Sequence, residues 1–147
     1  MAKIKVYFDN CTYNRPFDDQ SQIKISLETD AKKHIQRLIS GKKINLVYSY
    51  INRLENDDNP YTTRKSSITA FFQNAASYID SSHAEAVEKT ALTIMQSGIK
   101  SRDALHIACA LEGKCNFFIT TDKPLLRYST TKIIVCNPIQ FLDYFEE

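Results

Sequence analysis

Asp9, Glu55, Asp103 and Asp122 stand where a strand would end or beside a helix terminus, places from which a carboxylate can be presented to a ligand. Asp9 closes the apolar run Ile4-Lys5-Val6-Tyr7-Phe8, and Asp122 follows Asn116-Phe117-Phe118-Ile119-Thr120-Thr121. Asp103 opens the helical stretch Ala104 to Leu111, and Glu55 lies about one short helix beyond the apolar run Ile44 to Val47. Carboxylates gathered at one edge of a parallel sheet repel one another, a cost that hard divalent cations relieve. The pattern therefore points to a Mg²⁺ or Mn²⁺ centre, since oxygen ligands suit both ions. The chemistry such a centre performs on phosphodiesters is activation of water and neutralisation of charge building on the phosphate.

Each acid also has a plainer explanation. Asp103 near a helix start is favoured by the helix dipole alone. Asp122, before Lys123-Pro124, could be a simple cap, and Glu55, before Asn56-Asp57-Asp58, a solvated helix end. Asp9 is hardest to dismiss, because it ends a buried strand with no lysine immediately beside it. Glu28 is a further helical acid that could take the place of Glu55. Asn10 could orient Asp9, and Thr120 and Thr121 could hydrogen-bond a carboxylate or cap the following turn. Arg15, Arg53, Lys100, Arg102, Lys123 and Arg127 flank the acidic motifs and are candidates for phosphate contacts. For any one of them a solvated surface charge is the default. His106 falls on the same helical side as Asp103. Its apolar neighbours favour a hydrogen-bonded core histidine over a catalytic base.

The elements that must position these groups alternate along the chain. Residues 3–9 read as a buried strand and Cys11 to Gln20 as a polar loop. A helix is expected from about Ser21 to Ser40, with Ile23, Leu27, Ala31, Ile35 and Leu38 on its inner face and Gly41 as its stop. A strand over residues 44–48 leads into a short helix from Ser49 to Asn56. Asp57-Asp58-Asn59-Pro60 breaks the chain without dividing domains. A helix from about Pro60 to Asn74, a brief strand at Tyr78-Ile79-Asp80 and a helix from Ser82 to Gly98 follow. Ser101 is positioned to cap the next helix, which runs to about Glu112. Residues 116–120 form a strand, Asp122 to Arg127 a helical turn, Lys132 to Cys136 the last strand, and Asn137-Pro138 opens a terminal helix. Strands alternating with helices imply an α/β fold with a mainly parallel sheet, whose ligands collect beyond the carboxyl ends of the strands.

The totals fit this picture. At 147 residues, 1–147 makes one domain with a real core. Three Gly and four Pro argue against a disordered or all-β chain. The net charge of +2 neither demands nor excludes nucleic acid. Cys11, Cys109, Cys115 and Cys136 show no paired spacing, and free thiols in a reducing cytoplasm are expected. His106, Cys109 and Cys115 lack the matching second pair of a zinc site. No secretory signal or membrane-length apolar run appears, so no membrane partner is expected.

Four segments together resemble the PIN domain family of metal-dependent ribonucleases, which includes VapC-like toxins. They are Val6-Tyr7-Phe8-Asp9-Asn10, Ser49 to Glu55, Ser101-Arg102-Asp103-Ala104-Leu105-His106-Ile107-Ala108, and Phe118-Ile119-Thr120-Thr121-Asp122-Lys123. Their order and spacing cover about residues 4 to 142. Asn10 and Cys11 depart from the Thr or Ser and then Asn common there. The resemblance implies a three-layer α/β/α sandwich and a centre of Asp9, Glu55, Asp103 and Asp122 holding Mg²⁺ or Mn²⁺. It further implies hydrolysis of RNA, an antitoxin protein as partner for toxin members, and frequent homodimers. A catalytically silent PIN-like RNA- or protein-binding module is the competing expectation. Other enzyme classes fail on sequence: Asp9-Asn10-Cys11-Thr12-Tyr13 has no glycine for a dinucleotide turn, Cys11 stands where a haloacid-dehalogenase-like phosphatase needs a second Asp, and no P-loop signature occurs.

Overall fold

The computed structural model describes residues 3–145. Five strands, β1 (Lys5–Phe8), β2 (Asn45–Ser49), β3 (Ser77–Ile79), β4 (Phe117–Ile119) and β5 (Ile134–Cys136), form one sheet in the order β3-β2-β1-β4-β5, and every pairing is parallel. Eight helices connect and cover them: α1 (Asn10–Asn14), α2 (Ile23–Ser40), α3 (Tyr50–Asp57), α4 (Thr62–Phe72), α5 (Ala84–Met95), α6 (Ser101–Glu112), α7 (Lys123–Leu126) and α8 (Pro138–Phe145). This is a three-layer α/β/α sandwich.

The sheet is buried on both faces, which is why its strands read as continuous apolar runs. Side chains alternate along β1, so Tyr7 enters one core while Val6 and Phe8 enter the other. The first core joins Tyr7, Val47 and Phe118 to α5 and α6 through Val87, Ala91, Ile94, Ala104 and Ile107. The second joins Phe8, Leu46, Phe117 and Ile119 to α2, α4 and α8 through Ile35, Ile39, Ile68, Phe72 and Phe141.

Three local expectations are corrected. The segment after Asp9 is ordered helix, α1 followed by a 3-10 turn at Arg15–Phe17, because the Asp9 side chain accepts from the Thr12 backbone N–H and caps it. On α2, Ala31 and Ile35 are buried as expected, but Ile23 and Leu27 are exposed, and Glu28, Thr29, Lys32 and Ile39 are buried. The first turn of that helix runs along a cleft, so its buried stripe is set by the 3-10 turn and α8 rather than by apolar spacing. Ser101 lies inside α6, whose cap is Lys100 with no side-chain capping bond. Element ends otherwise shift by a residue or two, and a 3-10 turn at Ser81–His83 precedes α5.

Candidate functional site

In the order β3-β2-β1-β4-β5 the chain switches direction between β1 and β4, and a crevice opens beyond the carboxyl ends of those two strands. Asp9 leaves β1 into that crevice, and Thr120, Thr121 and Asp122 leave β4 beside it. The strands are tied there by Asp9 N–H donating to the Ile119 carbonyl at 3.3 Å, and the Thr12 hydroxyl lies between that oxygen, at 3.0 Å, and Asp9 Oδ1, sharing its one proton between them. The result is a cleft of about 740 Å³ lined by Asp9, Glu55, Asp103 and Asp122 from four different segments.

The four carboxylates are held differently. Asp9 is buried and fully engaged: Oδ1 accepts from the Thr12 backbone N–H at 3.0 Å and from Thr12 Oγ1 at 2.9 Å, and Oδ2 accepts from Thr120 Oγ1. Burial pushes its carboxyl above the usual carboxylate range, and these hydrogen bonds oppose that shift. Asp103 projects from the first turn of α6. Loss of hydration raises its carboxyl, and the negative charges of Asp122 and Glu55 raise it further. Asp122 begins α7, yet its side chain makes no capping bond, so its carboxylate is not spent on the helix. Glu55 projects from α3 and is bonded to His106 Nε2. Cys11, on the cleft wall, reports the common field. Its thiol is pushed up to about 12, by desolvation first and then by Asp9, Asp122, Asp103 and Glu55.

Beneath the acids runs a buried polar chain that sequence reasoning missed. Tyr7 Oη lies 2.6 Å from Ser49 Oγ and 2.7 Å from His106 Nδ1, and His106 carries the chain on to Glu55. His106 is thus hydrogen-bonded in the core as expected, but it also reaches the cleft and positions Glu55. Asn52, fully buried, accepts from Ser49 N–H at 3.0 Å, donates to the Phe8 carbonyl at 3.0 Å and to Asn10 Oδ1 at 2.8 Å. Asn10 in turn donates to the Asn52 carbonyl at 3.2 Å. Asn10 therefore locks α1 to α3 and does not bond Asp9. The Ser49/Asn52 capping box at the start of α3 was the one signal in the sequence for this lock. We expect Asn52→Leu to lower unfolding free energy by about 2–4 kcal/mol, because several buried partners lose their mate. Urea denaturation measures this, and a change below about 0.5 kcal/mol would refute the lock.

The basic candidates divide. Lys123 and Arg15 line the cleft, joined by Lys24. Arg15 is already occupied: Nη1 meets Asp18 Oδ2 at 3.0 Å, Nε lies 3.2 Å from Glu28 Oε1, and Nη2 donates to the Thr121 carbonyl at 3.5 Å. Glu28 also lines the cleft, with its carboxyl raised by burial and partly restrained by Arg15. Arg53 sits over the Tyr78 ring, 5.6 Å from its centroid, and neither it nor Lys100, Arg102 or Arg127 lines the cleft. Thr120 supports Asp9, and its Oγ1 accepts from Asp122 N–H at 3.1 Å; Thr121 lines the cleft.

Among the described residues no three His, Cys, Asp or Glu side chains stand close enough together to enclose an ion. The cleft offers oxygen donors around an open volume, which suits a hard cation that keeps most of its waters and not a closed protein cage.

No family model matches the chain, and no curated protein matches it in sequence. Its fold is similar to a chain in the crystal structure of VapBC2 from Rickettsia felis bound to a DNA fragment from their promoter, with a TM-score of 0.59 and 14% identity, covering 91% of this chain and 98% of that one. At that identity the likeness is one of fold. No helix among the described residues is long and apolar enough to cross a membrane.

Proposed function

We propose that the protein is a divalent-metal-dependent endoribonuclease of PIN type, hydrolysing RNA phosphodiester bonds at the centre formed by Asp9, Glu55, Asp103 and Asp122. The observation that carries this reading is the convergence of those four carboxylates, from β1, α3, α6 and the end of β4, on one cleft at the switch point of the parallel sheet.

In this reading Asp9 and Asp103 would hold Mg²⁺ or Mn²⁺, with help from Asp122 and Glu55. The bound cation supplies charge neutralisation at the phosphate and a lowered pKa for water. Thr12 and Thr120 fix the direction of both Asp9 oxygens. His106 restrains Glu55, and Tyr7 and Ser49 restrain His106. Lys123 and Lys24 on the rim draw the RNA backbone toward an otherwise negative cleft. The fold shared with a chain of a VapBC assembly supports a toxin restrained by an antitoxin protein as the biological setting. A homodimer is compatible with that setting and is read out by the protein's mass in solution.

A second reading, a catalytically silent PIN-like RNA- or protein-binding module, is favoured by one observation. Both Asp9 oxygens and Glu55 are engaged by protein groups, and no three-ligand group is assembled among the described residues. Purified wild type and Asp9→Asn, incubated with a structured RNA pool and Mg²⁺, Mn²⁺ or EDTA, separate the two. Metal-dependent cleavage confined to the wild type establishes the nuclease. RNA retention without cleavage in every metal condition establishes the silent module.

A further inference from the structure

On the other side of the Arg15–Phe17 turn from the acidic cleft, α2 and α4 enclose a slot of about 160 Å³. Lys32 reaches into it from α2. The residue is only 4% exposed, and its ammonium lies 5.4 Å from the centroid of the Phe71 ring and 5.8 Å from that of Tyr13. A buried cation is ordinarily paired with a carboxylate. Among the described residues no ion pair engages Lys32, and the charged neighbour that acts on it is another cation, Lys33. Burial and Lys33 together bring its amine down to about 8. The aromatic faces attract the charge but accept none of its N–H bonds in the manner of an oxyanion. The other polar side chains lining the slot are Tyr13, whose buried hydroxyl has no hydrogen-bond partner, Lys33, Gln36 and Ser67, all able to donate, and no carboxylate lines it.

We propose that this slot is a phosphate-binding site, with Lys32 as its central ligand and Lys33, Gln36 and Ser67 completing the donors. Donors lining one slot from two helices, the buried Lys32 and the more exposed Lys33, Gln36 and Ser67, suit the three terminal oxygens of a phosphate group better than the two of a carboxylate. The rings of Phe71 and Tyr13 shield the Lys32 ammonium from water, which strengthens a charge-assisted bond made there. The volume, several times the roughly 30 Å³ share of a water molecule, admits a phosphate group. Free phosphate and a phosphomonoester offer that full set of oxygens, and the backbone of RNA offers the same charged group with two non-bridging oxygens per phosphate. The site stands apart from the acidic centre and does not depend on its chemistry.

The test uses the full chain with lysines labelled in ¹⁵N, followed through the side-chain Nζ resonance of Lys32 in EDTA. Inorganic phosphate is expected to saturate the site and to move the titration of Lys32 upward from about 8, because a bound anion favours the charged amine. Lys32→Met, which keeps the apolar stem over the rings, is expected to weaken phosphate binding by about tenfold or more. Lys32→Arg is expected to retain most of it. A short single-stranded RNA that shifts the same resonance at lower concentration than phosphate identifies the backbone as the source. Phosphate acting where RNA does not identifies the free ion or monoester. An unmoved Lys32 resonance at phosphate concentrations on the order of 10 mM, or equal binding by Lys32→Met, overturns the proposal. Should Lys32→Met fail to fold, the wild-type resonance decides alone.

Discussion

Replacing Asp103 by Asn is expected to lower the proposed metal-dependent RNA cleavage by about 10³-fold, or some 4 kcal/mol of barrier, while the protein melts no lower than wild type. The two halves of this expectation come from the same geometry. Asp103 is half-buried at the start of α6, and its carboxyl is raised because the cleft dehydrates it and Asp122 and Glu55 repel its charge. The ionised form is thus less comfortable in the fold than in the unfolded chain. An amide of the same shape removes the repulsion and leaves α6 intact. Asp9→Asn is a less clean test of the chemistry, because Asp9 accepts from Thr12 twice and from Thr120. An amide with one oxygen cannot satisfy all three donors, so a fall in stability accompanies the loss of activity there. Single-turnover cleavage of a defined RNA, paired with thermal melts in EDTA, reads both quantities. Asp103→Asn cleaving within about tenfold of wild type would remove Asp103 from the centre.

If the proposed centre binds them, Mg²⁺ or Mn²⁺ is expected to raise the melting temperature at neutral pH and to do so far less at about pH 4, within the ordinary carboxylate range. Asp9, Asp103 and Glu28 all have carboxyls raised by burial in the fold. For an acid raised above its unfolded value, the associated stability is present at low pH and is lost as pH rises through the folded value. In the metal-free protein these three groups therefore cost stability as they ionise between acid and neutral pH, while Asp19 and Asp80, lowered by their serine hydrogen bonds, act in the opposite direction. A cation held by Asp9 and Asp103 offsets that loss only where they are charged. At a hundredfold excess over the dissociation constant the linkage is about 2.7 kcal/mol, or about 5–10 °C for a chain of this size. Differential scanning fluorimetry at the two pH values, on wild type and Asp103→Asn, checks this. Equal shifts at both pH values, or an undiminished shift in the variant, would show that the ion binds elsewhere.

The strand and helix order was legible because the strands are short and mostly apolar between polar residues, and α5 and α6 carry a clear 3.6-residue apolar pattern. Placing Asp9 and Asp122 beyond strand ends needed nothing more than a parallel βα alternation. Glu55 and Asp103 were legible as acids on the helices that follow β2 and precede β4. Less visible was the segment after Asp9. Asn10 to Asp19 has the composition of a loop, yet it folds as α1 and a 3-10 turn, because Asp9 caps the first and Arg15, tied to Asp18, Glu28 and the Thr121 carbonyl, anchors the second.

Periodicity also failed where burial is set by something other than an apolar neighbour. Ile23 and Leu27 have the spacing of a core stripe and lie in solvent, whereas Glu28 and Lys32 are buried. The reason is that the first half of α2 packs beside a charged cleft and an aromatic-walled slot, which take up polar side chains. By itself the sequence determined the fold class and the order of strands and helices, and it singled out the four acids that the structure brings to one cleft, because those depend on local composition and chain order. Tertiary structure alone decided that Tyr7, Ser49, His106 and Glu55 form one buried chain, that Asn10 serves Asn52 rather than Asp9, and that Arg15 but not Arg53 reaches the cleft. Those outcomes depend on which side chains meet across strands and helices distant in sequence, and no spacing along the chain encodes such meetings.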